Sequence, residues 1–193
     1  MSKRTAAVSR KTKETAIDVT LNLNGSGKAK IQTGIGFFDH VLQSLTKTSL
    51  FDIEVQADGD LHVDQHHTIE DVGIVTGQAF AKAVGDRMGI LRFGHALLPM
   101  DEALVRVALD ISGRGFLRFT GEIPVNPSLA FDSQMVEEFF RAFAANARFT
   151  LHISILDGKN THHIIEAVFK AVGLALHHAV KIEPGMQGVL STK

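Results

Sequence analysis

The chain has 193 residues, 45% of them hydrophobic, and a formal net charge of −1. That suits one compact domain or two small fused halves, and argues against bulk attraction to nucleic acid or a membrane surface. The absence of cysteine excludes disulfides and thiolate metal ligands. No apolar run approaches the roughly 18 residues of a membrane span. The polar start Met1-Ser2-Lys3-Arg4 lacks the apolar segment of a signal peptide, so a cytoplasmic location is expected.

Alternation of Ile17, Val19, Leu21 and Leu23 predicts a strand, Asn24-Gly25-Ser26-Gly27 a turn, and Ala29 to Ile31 a return strand. Phe37 to Leu45 reads as a short helix, with Phe38, Val41, Leu42 and Leu45 on one side. Leu50 to Val55 is an expected strand, Ala57-Asp58-Gly59-Asp60 a turn, and Leu61 to Val63 its partner, before a helix that opens at His66 and runs to Val84. The second half is similar. Leu104 to Asp110 and Phe116 to Ile123 read as strands around the turn Ser112-Gly113-Arg114-Gly115, and Pro124 to Ala130 as a surface loop. Met135 to Ala145 is helical, Phe149 to Ile155 a strand, Asp157-Gly158-Lys159-Asn160 a turn, and a helix from His162 reaches Val180. The pattern predicts an α/β (α+β) two-layer sandwich of two pseudo-symmetric repeats, residues 1–95 and 96–193, in one compact domain. Its sheet should be mostly antiparallel, with helices on one face.

The repeat carries the chemistry. His66-His67-Thr68-Ile69-Glu70 recurs 96 residues later as His162-His163-Ile164-Ile165-Glu166. Residues three and four apart share a helix face, so each Glu lies beside its own histidine pair. Adjacent histidines diverge by about 100° around a helix, so one pair can serve two ions. Imidazole with carboxylate suits manganese, iron, zinc or nickel. His40, after Gly34-Ile35-Gly36, precedes the first pair by 26 residues, and Glu138 precedes the second by 24, so each is a candidate to complete one ligand set. Arg92, Arg114 and Arg118 lie near predicted turns, where a guanidinium fork suits phosphate. Met100-Asp101-Glu102 reads as a charged loop, and His177-His178 as cations suited to a helix C-terminus.

Five runs together resemble the imidazoleglycerol-phosphate dehydratases of histidine biosynthesis: Gly34 to His40, Asp64 to Asp71, Pro99 to Leu104, Asp110 to Arg114, and Gly158 to His163. They follow the family's order over nearly the whole chain. The resemblance implies a shell of 24 subunits built from trimers, with two manganese ions per active site held between neighbouring subunits. It implies His40, His66, His67, Glu70, Glu138, His162, His163 and Glu166 as metal ligands. It implies substrate contacts from Glu14, Arg92, Arg114, Lys170, Ser191 and Lys193. Thr48 stands where the family often carries a histidine facing the substrate.

The implied reaction dehydrates D-erythro-imidazole-glycerol phosphate to imidazole-acetol phosphate. Metals on the ring nitrogens would favour imidazolate and orient the ring. Glu14 is the acid/base candidate, with the ligands Glu70 and Glu166 as the alternative. No nucleic-acid or membrane partner is expected. Two other readings stay open: a metal-dependent phosphate-ester hydrolase, and a metal-binding shell subunit that lacks catalysis.

Overall fold

The structure is a computed structural model that describes residues 4–186, 188 and 189. In chain order its elements are β1 (Thr5–Lys11), β2 (Thr15–Asn22), β3 (Ala29–Gln32), α1 (Gly36–Ser49), β4 (Asp52–Gly59), α2 (His66–Val84), β5 (Phe93–Met100), β6 (Ala103–Asp110), β7 (Phe116–Thr120), α3 (Gln134–Ala147), β8 (Thr150–Asp157) and α4 (Thr161–Val180). Residue alternation sets the strands: β2 buries Thr15, Ile17, Val19 and Leu21 and turns Asp18 and Thr20 outward. The strands form two four-stranded sheets, β1-β2-β4-β3 and β5-β6-β8-β7. Each is antiparallel except for its last pair, since β3 runs parallel to β4 and β7 to β8. Parallel neighbours need a crossover, and α1 and α3 supply it.

The helices cover one face of each sheet, as the patterning predicts. α2 packs on β1, β2 and β4, and α4 on β5, β6 and β8; α1 then packs on α4, and α3 on α2. The two helical layers meet in one core centred on Phe38, Phe80, Phe139, Phe140, Phe149 and Phe169. Polar ties fix the register of sheet and helix. Buried Asp71 of α2 accepts hydrogen bonds from Arg10 of β1 and Thr15 of β2.

Three departures from the sequence reading have physical causes. The edge strand β1 goes unnoticed because only Val8 of its residues is buried. β5 is masked by its composition, with Phe93 and Leu97 exposed beside buried Ala96. The expected strand at Leu61 to Val63 is a turn, closed by Val63 N–H to Asp60 C=O at 2.8 Å. β4 pairs with β2 only as far as Thr15↔Gly59, which leaves no partner beyond. In addition, α4 is long and apolar enough to span a bilayer, contrary to the reading of the apolar runs. That apolarity serves the core, since most of its residues are buried, packed on α1 and the second sheet.

Glycines set the helix spacing. A Cβ at Gly73 would lie 2.7 Å from the Phe139 carbonyl oxygen, and one at Gly77 2.7 Å from that of Phe143. Contacts that advance together along both chains mean that α2 and α3 run parallel and nearly touch backbones. Gly173 of α4 is equally close to Leu45 and Thr48 of α1. Phe37 meets Phe131 at one end of this bundle, and Phe51 meets Phe80 further along. All four helix N-termini therefore emerge at one end. Gly77→Ala should cost about 1–3 kcal/mol through overpacking against the α3 backbone, read as a lower denaturant midpoint with unchanged m-value. A midpoint equal to that of the parent chain would show that the crossing relaxes without cost.

Candidate metal centre

The N-terminus of α4 is built by Asn160, whose side-chain oxygen accepts the backbone N–H of His162 at 2.9 Å and of His163 at 3.4 Å. This cap holds the histidine pair at the rim of the bundle. One turn on, Glu166 shares a face with His162, and α1 brings His40 alongside. The Nε2 atoms of His40 and His162 each lie 3.0 Å from Glu166 Oε2. Glu166 is only 7% exposed. Its other oxygen accepts from Ser44 Oγ at 3.1 Å and pairs with Lys170 Nζ at 2.8 Å. Burial raises the Glu166 carboxyl, but the Lys170, His40 and His162 contacts outweigh it and hold the group down at about 2. It is a carboxylate at neutral pH.

The donors fit a metal ion. One atom each from His40, His162 and Glu166 lies within 4.8 Å of the others. Two donors bound at roughly 2.1 Å to one ion stand no more than about 4.2 Å apart, so small side-chain adjustments suffice. Two imidazoles and a carboxylate suit manganese, iron or zinc.

The related set at the start of α2 is looser. His66 Nε2 is 3.9 Å from Glu70 Oε2, while Glu138 faces Arg141 at 3.5 Å. Among the described residues, only the His40 group brings three such donors together. The second histidine of each pair is held by a carboxylate. His67 Nδ1 is 2.9 Å from Asp60 Oδ2, and His163 Nδ1 is 2.8 Å from Glu102 Oε2. These contacts raise both imidazoles, and that of His163 holds Glu102 down at about 2. From sequence Ser44 carries no signal, while Asp60 and Glu102 read only as turn and loop charges. The repeat is the signal that could have found Glu102, since it stands immediately before β6 as Glu14 stands before β2.

A family model for imidazoleglycerol-phosphate dehydratase matches residues 33–176. The chain belongs to this family. The chain is 55% identical to the imidazoleglycerol-phosphate dehydratase of Pelotomaculum thermopropionicum over all of this chain and 98% of that one. It is 54% identical to that of Acetivibrio thermocellus over 96% of this chain and 95% of that one. The fold is similar to the crystal structure of the Staphylococcus aureus dehydratase, with a TM-score of 0.84, 38% identity, and coverage of 93% of this chain and 99% of that one. It is also similar to the Pyrococcus furiosus enzyme solved in complex with (S)-C348, with a TM-score of 0.83, 36% identity, and coverage of 96% and 98%. As an imidazoleglycerol-phosphate dehydratase, the chain is a hydro-lyase.

The dehydratase chain keeps its substrate-contact candidates apart. Glu14 is exposed in the β1–β2 hairpin, and its carbonyl accepts the Asp60 N–H, which sets it near His67. Lys170 lies within the His40 group through Glu166. Arg92, in left-handed conformation, donates from Nε and Nη2 to Asp110 at 2.6 and 3.2 Å. It sits at the far end of α4, where its N–H reaches the Ala179 carbonyl. Exposed Arg114 lies just beyond Asp110 on that same end. From His163 to Ala179 the helix rises about 24 Å, far more than a small phosphate ester spans. Thr48 is likewise distant from His40, two turns along α1. Its hydroxyl donates to the Ser44 and Leu45 carbonyls at 3.1 and 3.2 Å and packs at Gly173. His152 faces outward from the second sheet. Ser191 and Lys193 lie outside the described residues.

The raised His67 imidazole yields a pH test on metal-free protein. A raised group stabilises the fold fully below its unfolded value, near 6.5, and that contribution fades as pH rises through the higher folded value. Asp60→Asn should therefore lower the melting temperature more at pH 6 than at pH 9. An equal loss at both values would mean that the Asp60 contact does not depend on imidazole charge.

Proposed function

We propose that this dehydratase converts D-erythro-imidazole-glycerol phosphate to imidazole-acetol phosphate in L-histidine biosynthesis, with two manganese ions per active site, in a cytoplasmic homo-oligomer. The observation that carries the metal reading is the gathering of His40, His162 and Glu166 at the helix N-termini, with His66 and Glu70 at the equivalent place in the first half. The residues proposed to hold the ions are His40, His162, His163 and Glu166 around the start of α4, and His66, His67, Glu70 and Glu138 around the start of α2. Manganese, when bound, supplies Lewis acidity toward the two nitrogens of the substrate imidazole.

The chain's own residues do the rest. Arg92 and Arg114, with Ser191 and Lys193, hold the phosphate and fix the side chain relative to the ring. The Arg92 fork is pre-set by Asp110, so it meets the phosphate already oriented. Glu14 takes the proton from the carbon adjacent to the one that loses hydroxyl, because its exposed carboxylate is free to move one. Lys170 keeps Glu166 ionised and fixes its rotamer. The roughly 24 Å between histidines and arginines within one chain supports a site shared between subunits of a homo-oligomer; 24 subunits built from trimers is the assembly proposed.

The test is turnover of imidazole-glycerol phosphate by protein stripped of metal and then given manganese. Product is expected only after manganese is added. Hydrolysis of simple phosphate esters without dehydration would replace this reading with a hydrolase. Glu14→Gln should retain manganese and assembly while turnover falls about 10²- to 10⁴-fold. Near-parent turnover in that variant would remove Glu14 from the proton transfer.

A further inference from the structure

Glu102 stands at the tip of the β5–β6 hairpin, before the first residue of β6. Its two oxygens do different work. Oε1 accepts the backbone N–H of Lys159 at 3.1 Å and of Asn160 at 2.7 Å, which ties the hairpin to the loop that starts α4. Oε2 faces His163 Nδ1 at 2.8 Å. A carboxylate that is held by two backbone donors has no freedom to follow the ring, so the ring must follow it. Because an ionised carboxylate only accepts, His163 carries its proton on Nδ1, and the Nε2 lone pair points away, available as a ligand.

The repeat supplies an internal comparison. Glu14 occupies the matching hairpin position before β2, yet it meets the next loop through its backbone carbonyl. In that half Asp60 Oδ2 performs the ring contact to His67 instead. We infer that Glu102 is a positioning residue that selects the ligating tautomer of His163, and that transfer of this task to Asp60 in the first half leaves the Glu14 carboxylate unencumbered. The inference rests on the metal reading above. It adds a division of labour between two carboxylates in equivalent places: one aims a ligand, and the other stays free for chemistry.

Glu102→Gln separates aim from scaffold. The amide oxygen still accepts from Lys159 and Asn160, while the amide N–H₂ now faces Nδ1 and drives the imidazole proton to Nε2. Asp101→Asn is the charge control, because Asp101 Oδ2 lies 3.6 Å from His163 Nε2 and is well exposed. Manganese is titrated into full-length metal-free protein, with the free ion counted by electron paramagnetic resonance, and the fold is checked by circular dichroism. Glu102→Gln should weaken manganese binding at one site about 10- to 100-fold, with parent-like circular dichroism. Nitrogen chemical shifts of His163 should move from the Nδ1–H to the Nε2–H form. Asp101→Asn should change the affinity by less than about 3-fold, a few tenths of the effect expected of the lost ring contact. Parent-like manganese affinity in Glu102→Gln, or equal losses in both variants, would overturn the inference while leaving the metal reading intact. A parent protein that takes up no manganese would overturn both.

Discussion

Everything at the candidate centre depends on how closely four parallel helices approach. Gly73 and Gly77 admit the backbone of α3 against α2, and Gly173 admits α1 against α4. Side chains at these crossings would push the helices apart by a methyl group or more, and His40 would leave Glu166, since α1 reaches it only across that crossing. Parallel packing also sums the N-terminal ends of the helix dipoles on one side of the molecule, where carboxylates are favoured. Glu166 benefits from that field in addition to Lys170 and the two imidazoles.

The buried carboxylate has a second consequence. Glu166 is an anion at 7% exposure, which is tolerable only because both oxygens are fully engaged. Lys170 pairs with one of its oxygens, and the rings of His40 and His162 meet the other. The three donors are thus gathered by contacts within the chain itself. The Phe37 ring, against His162 at 5.0 Å, walls the group on its apolar side.

Much of this was legible in the chain. Periodicity placed α2 and α4 and most inner strands, because each buries one clear face. The duplicated His-His-x-x-Glu pattern located the centre, since helical spacing alone puts Glu166 beside His162. What escaped was either masked by composition or long-range. β1 buries too little to alternate visibly, and β5 wears apolar residues on its outer face. Glu102 and Asp60 read as loop charges because their partners lie 61 and 7 residues away, joined only by the hairpin and the turn. The packing of Thr48 was equally hidden, because its hydroxyl bonds to carbonyls of its own helix and lies at Gly173, a contact that no local pattern marks.

The separation along α4 reaches beyond the single molecule. Histidines lie at one end and Arg92 at the other, so under the proposed sharing of a site each chain would serve one pocket through its histidines and another through its arginines. Damage to the two ends is then not equivalent within an assembly. A cell carrying one gene copy defective in its histidines and another defective in its arginines would still form some pockets with both intact halves, and two inactivating alleles would complement each other.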